Sequence, residues 1–139
     1  SLGFIKEKSK IYSINLDSEI VKLFLDQRKE IANLPLTIQY LLLDLIDKII
    51  ELKGIKQIIL FGSYAKLIFS DKSDIDIAVI LGNSIKDKNI IEKRMSLISK
   101  KISKKYKKEI QIHLFQEADL RHKEDPLIKD ILRNGREVV

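Results

Sequence analysis

Cysteine is absent from the 139 residues, so disulfides and thiolate metal sites are excluded and the cytoplasm is the default compartment. No apolar run reaches the ~18 residues of a membrane span. The longest aliphatic cluster, Ile38 to Leu52, is interrupted by Asp44, Asp47, Lys48 and Glu51. No secretory signal pattern opens the chain, and no repeat or low-complexity linker runs through it. The first residue is Ser1 rather than methionine, so the sequence reads as beginning inside a longer one. Proline occurs only twice and glycine five times, and most of them mark breaks: Pro35, Gly54, Gly62, Gly82, Pro126 and Gly135.

What is present suits one globular domain. A hydrophobic fraction of 45% beside 33% charged residues gives room for a real core and one small appendage. The formal net charge is +6, and much of it is local, in Lys93, Arg94, Lys100, Lys101, Lys104, Lys105, Lys107 and Lys108. That cluster reads either as an attractor for nucleotide or single-stranded nucleic acid, with a steep salt dependence, or as a solvated helix face. No aromatic interleaving or base-reading motif accompanies it, which favours the solvated face.

The chain is organised around Ile58 to Leu81. The run Ile58-Ile59-Leu60-Phe61 breaks at Gly62-Ser63, and after a spacer comes Ser73-Asp74-Ile75-Asp76-Ile77-Ala78-Val79-Ile80-Leu81. β-Branched residues predict a strand, a tight turn into a short helix, and a second strand. Residues two apart in a strand share a face, so Asp74 and Asp76 stand together while Ile75, Ile77 and Val79 face the core. Two neighbouring carboxylates repel unless a cation sits between them, and Mg²⁺ typically takes one or two carboxylates plus substrate phosphates. Gly62-Ser63 fits the other half of such a site, since glycine admits a ligand close to the backbone and free N–H groups at a helix start attract anions.

Gly62-Ser63, ten intervening residues, then Asp74-Ile75-Asp76-Ile77 resembles the signature of the DNA polymerase β superfamily of nucleotidyltransferases. Gly62-Ser63-Tyr64-Ala65-Lys66 with Ser73-Asp74-Ile75-Asp76 is similar to its minimal archaeal and bacterial members. The resemblance implies an α+β nucleotidyltransferase fold, a small mixed β-sheet flanked by helices, over residues 35–139. It implies Mg²⁺ on Asp74 and Asp76, a nucleoside triphosphate held by Gly62, Ser63, Lys66 and Ser73, and transfer of a nucleoside monophosphate to a hydroxyl. ATP is the expected donor. Some relatives are antitoxins that adenylylate a HEPN-type partner, so such a protein is an expected acceptor.

Two positions depart from the family pattern. Lys66-Leu67 stands where Arg-Gly is usual, and leucine is expected to send the following loop along a different path because it disfavours positive φ. Gln111 stands where a third carboxylate is expected, and an amide cannot act as general base toward the attacking hydroxyl. Glu109 and His113, two residues to either side on the same strand face, are the candidate replacements.

The remaining elements follow from periodicity. Residues 1–34 are expected to form an N-terminal β-hairpin and helix appendage. Its first fifteen residues resemble the wing of a winged-helix DNA-binding domain, with Lys6, Lys8 and Lys10 toward DNA backbone. A helix capped by Asp17 or Ser18 follows to about Asn33 and is a candidate homodimer contact. Asn33 or Thr37 is expected to start a helix along Ile38, Leu41, Leu42, Leu45, Ile46 and Ile49 that Gly54 ends. Further helices are expected at Tyr64–Phe69, at Ile85–Tyr106 with Ile90, Ile91, Met95, Ile98 and Ile102 inward, and from Asp125-Pro126 through Leu132, with a short helical turn at Ala118–His122. Glu109 to Phe115 reads as the third strand, and Arg136 to Val139 as a tail that closes the sheet edge. The alternative to an enzyme is a catalytically weakened nucleotide-binding or dimerising module of a winged-helix regulator.

Overall fold

The computed structural model describes residues 30–83 and 87–139. Strands β1 (Ile55–Phe61), β2 (Ile75–Leu81), β3 (Ile110–Gln116) and β4 (Arg136–Glu137) form one sheet in the order β3-β2-β1-β4. The β1–β2 and β1–β4 pairs are antiparallel and β2–β3 is parallel. A parallel pair needs a crossover, which here is the helix α3 (Lys88–Tyr106). The other helices are α1 (Leu36–Ile49), α2 (Gly62–Ala65) and α4 (Pro126–Asn134), with a 3₁₀ turn at Glu117–Arg121. This is the expected mixed sheet flanked by helices. No helix among the described residues is long and apolar enough to cross a membrane.

Both faces of β2 are covered, so its sequence is aliphatic at nearly every position. Ile75, Ile77, Val79 and Leu81 join the larger core under α1 and α3, with Leu41, Leu42, Leu45, Ile46 and Ile49 fully buried. Ala78 and Ile80 join Ile59, Phe61 and Ile131 in a smaller cluster under α4. Asp76 is the one charged residue in this strand.

Several boundaries differ from expectation. α1 is capped neither by Asn33 nor by Thr37: Pro35 holds the N-cap position with no side-chain hydrogen bond. The buried Gln39 instead donates from Nε2 to Leu34 O at 2.8 Å, tying the helix to the turn before it. The helix ends at Ile49, and Gly54, at φ +93°, turns the chain only after a further loop. In α3 Asp87 is the N-cap, accepting from Ile90 N–H at 3.2 Å. Ile90 is 52% exposed and so leaves the expected inward set, whereas Met95 and Ile102 are buried. The terminal hairpin, its resemblance to a wing, and the helix expected from Asp17 or Ser18 lie outside the described residues, apart from a turn at 31–34.

The C-terminal segment follows expectation closely. Asp125 Oδ1 accepts from Leu127 N–H at 2.8 Å, with Pro126 in the first turn of α4. The tail then closes the sheet: Val138 N–H donates to Ile58 O at 2.9 Å, and Ile58 N–H to Val139 O at 3.0 Å. Gly135 makes this approach feasible, because a Cβ there would collide with Ile131 O and with the Ile59 side chain. Arg136 fastens the same corner, donating from Nε to Ala65 O at 2.8 Å and from Nη1 to Glu30 O at 2.6 Å. Gly135→Ala is therefore expected to lever α4 off β1 and cost roughly 1–3 kcal/mol. A denaturant titration in which this variant matched the parent would refute that packing account.

Candidate active site

Asp76 lies opposite Phe61 on β1 and Gln111 on β3. The chain leaves β1 through Gly62 at φ +76°, and a Cβ on Gly62 would run into Asp76 Oδ2. Glycine is thus needed twice, for its backbone conformation and for contact between that backbone and a carboxylate. Asp76 thus meets the Gly62 backbone. Asp74, Asp76, Gln111 and His113 lie on the sheet face away from α1 and α3. Gln111 donates from Nε2 to Asp74 Oδ2 at 3.1 Å, and the His113 ring meets Phe61 edge-on at 5.4 Å between centroids.

Glu109 is placed differently. Its carbonyl accepts from Ile75 N–H at 2.9 Å, and the residue borders a hollow with Ser99, Lys100, Ser103 and Lys104 of α3. Among the described residues no three His, Asp or Glu side chains are grouped to hold a metal ion. The donor set that remains, the carboxylates of Asp74 and Asp76, fits a cation that takes its other ligands from phosphate.

Burial, above all, raises the Asp76 pKa from the ordinary carboxylate value. His113 opposes the shift, and the negative charges of Asp74 and Asp130 add to it. Asp130, on α4, was not singled out in the sequence. It pairs with Lys66 Nζ at 3.1 Å and accepts from Asn134 Nδ2 at 2.9 Å, and that amide is the first cause of its lowered pKa. Lys66, expected on phosphate, is held by this carboxylate. The i, i+4 spacing of Asp130 and Asn134 is visible in the sequence. Their approach to Lys66 depends on α4 crossing β1 and is not.

The loop after α2 corrects a second expectation. α2 spans Gly62–Ala65 rather than Tyr64–Phe69, and Leu67 takes φ +59°, the left-handed conformation a glycine would adopt. Leucine therefore does not divert the chain; it accepts a cost of about 1–2 kcal/mol. The loop is clamped on either side of it. Ile68 N–H donates to Ser63 O at 3.0 Å, and Tyr64 stacks on Phe69 at 4.5 Å. Ser73 Oγ accepts from Ser70 N–H at 2.8 Å, so Ser73 shapes the turn that delivers the aspartates. Lys108 donates to Asp71 O at 2.8 Å and lies 5.4 Å from the Tyr64 ring, while Lys105 pairs with Asp44 at 2.7 Å. Two members of the lysine cluster thus have structural partners.

Two outcomes follow. Leu67→Gly is expected to raise stability by about 0.5–1 kcal/mol, relief of the left-handed leucine outweighing the added backbone freedom; a lower midpoint in denaturant would contradict it. A carboxyl whose folded pKa is raised costs stability when ionised, and the cost fades as pH falls through that value. Asp76→Asn should therefore melt above the parent at pH 7 and lose its advantage as the pH approaches about 4. Equal melting temperatures across that window would count against the burial and charge described for Asp76.

No curated protein matches the chain in a sequence comparison. Among solved structures it is similar to a chain of a toxin–antitoxin crystallised with AMP-PNP, at 24% identity and TM-score 0.50 over 68% of this chain and 70% of that one. It is also similar to a chain from tri-AMPylated Shewanella oneidensis HEPN toxin in complex with MNT antitoxin (23% identity, TM-score 0.43, 71% of each chain). A Sulfolobus solfataricus protein described as a nucleotidyltransferase gives 15% identity and TM-score 0.43 over 86% of each chain. At these identities the likeness speaks to fold alone. The sequence family described as "Polymerase beta, Nucleotidyltransferase" matches residues 44–139, which contain every strand of the sheet and the Gly62-Ser63 corner. The chain belongs to the polymerase β family of nucleotidyltransferases.

Proposed function

We propose that residues 35–139 form a nucleotidyltransferase domain that moves AMP from Mg-ATP to a hydroxyl on a partner protein, the hydroxyl oxygen bonding the α-phosphorus as the α–β phosphoanhydride breaks and pyrophosphate leaves, with a HEPN-type toxin as the acceptor, and that residues 1–34 are its appendage. The observation that carries the reading is the contact between the Gly62 backbone and the Asp76 carboxylate. It sets the backbone of the Gly-Ser corner directly against an acidic oxygen donor. Supporting it are the family membership and the neighbour crystallised with AMP-PNP.

Asp74 and Asp76 would hold Mg²⁺, which supplies charge neutralisation to the triphosphate. Gly62 and Ser63 offer backbone N–H and hydroxyl donors to phosphate oxygens. Lys66 sits beside them, held by Asp130. Gln111 orients Asp74 through its 3.1 Å hydrogen bond and cannot take a proton. Of the two candidate bases, His113 stands on the aspartates' face, whereas Glu109 borders the α3 hollow. His113 is therefore assigned the proton of the attacking hydroxyl.

A second reading has its own observation. With Gln111 rather than a carboxylate on Asp74, the same pocket would bind nucleotide and transfer slowly, as a sensor or dimerising module. One experiment separates the two: transfer of AMP from α-labelled ATP to a co-expressed HEPN-type protein, alongside calorimetric Mg-ATP binding. Asp76→Asn is expected to abolish transfer, and Gln111→Glu to raise it about tenfold or more by restoring a base. Tight binding with no transfer by either the parent or Gln111→Glu would establish the module instead.

A further inference from the structure

Among the described residues β3 is an edge strand, and its outer side is only partly closed. Ile75 N–H bonds Glu109 O, so by the alternation of a parallel ladder Gln111, His113 and Phe115 turn their backbone groups toward β2, and Ile110, Ile112, Leu114 and Gln116 turn theirs outward. The two ends are capped. Ser99 Oγ donates to Ile110 O at 3.1 Å, and Gln116 N–H donates to Asp119 Oδ2 at 2.8 Å. Between the caps, among the described residues, the backbone groups of Ile112 and Leu114 have no partner on that side. Edge strands are ordinarily protected by charge, proline or a bulge. Ile110-Gln111-Ile112-His113-Leu114-Phe115-Gln116 contains no Asp, Glu, Lys, Arg or Pro. Beside the open positions lies a hollow of about 380 Å³ lined by Glu92, Met95, Ser96, Ser99, Ile112 and Leu114.

We propose that this edge pairs with the same edge of a second copy, β3 against β3 in antiparallel register about His113, with the Ser96 faces of the two α3 helices meeting beside it. The open groups are self-complementary. Residues 112 and 114 lie one step either side of 113, so an antiparallel copy sets Ile112 opposite Leu114 twice, and each pair exchanges both N–H···O bonds. The caps at Ile110 and Gln116 end the ladder after those two pairs. The helices obey the same symmetry. Glu92 and Lys100 each lie four residues from Ser96, so antiparallel α3 helices crossing at Ser96 bring Glu92 of one copy to Lys100 of the other, twice. Small serines at the crossing permit the 8–10 Å approach of packed helices. This charge match is what selects a second copy over a foreign strand in a chain of net charge +6. The pairing also sets the two His113 residues side by side on the face that carries Asp74 and Asp76, so the two sites open onto one continuous sheet.

The absence of cysteine gives a direct test. Ser96→Cys introduces a single thiol at the crossing and is expected to yield a disulfide-linked dimer under mild oxidation. Sedimentation of the parent over the micromolar range should show twice the monomer mass. Glu92→Lys or Lys100→Glu alone should weaken association about tenfold or more, and the two together should restore it. All these changes lie at exposed or half-buried positions of α3, and circular dichroism checks that each variant folds. A parent that stays monomeric, a dimer indifferent to the single charge reversals, or a β3 edge occupied by another protein's strand while the chain stays monomeric would each overturn the proposal.

Discussion

The structure depends on one close contact, the Gly62 backbone against the carboxylate of Asp76. Any Cβ at position 62 would displace that carboxylate, so the end of β1 and the start of β2 must carry glycine and aspartate in register. Asp76 lies opposite Phe61 across the ladder, and a one-residue slip would send every side chain of β2 to the other face. The aliphatic residues fix that register. Ile75, Ile77 and Val79 fit only toward α1 and α3, which leaves the acidic side chain one direction to take. The core thereby aims the site, and the site's polar cost is borne by a strand buried on both faces.

Much of this was legible because it is periodic or punctuated. The two β-branched runs, the alternation around Asp76, the Asp125-Pro126 cap and the closing tail are local signals, and each has its predicted structural counterpart. What was not legible is nonlocal. Asp130 enters the site's electrostatics only because β4 pairs with β1 and draws α4 across the corner. Glu109 and His113 look equivalent in an alternating strand, yet Glu109 precedes the first β3 residue and borders the α3 hollow. Leu67 shows a third kind of failure. Residue propensity argued against positive φ there, but the Ser63–Ile68 hydrogen bond and the Tyr64–Phe69 stack impose it.

The same tertiary contacts revise the meaning of the basic segment. As a sequence, Lys93 to Lys108 is a charge run. In the fold, Lys105 is tied to Asp44 on α1 and Lys108 reaches the loop before β2, so part of the positive charge fastens α3 to its neighbours. The pull of the remainder on a polyanion is correspondingly smaller than the formal charge suggests.

Gln111 can be understood from the charges around it. Asp74, Asp76 and Asp130 already place three negative groups around the corner, against one lysine held at 3.1 Å by Asp130 and one histidine. A carboxylate at position 111 would lie against Asp74, and without a cation the two would repel, an effect that solvent softens because Gln111 is exposed. The amide turns that repulsion into a hydrogen bond and holds Asp74 in place before any ligand arrives. A carboxylate there would add a proton acceptor at the expense of order at Asp74. The chain's own balance thus favours a hydrogen-bonded Asp74 over a third acid at this corner.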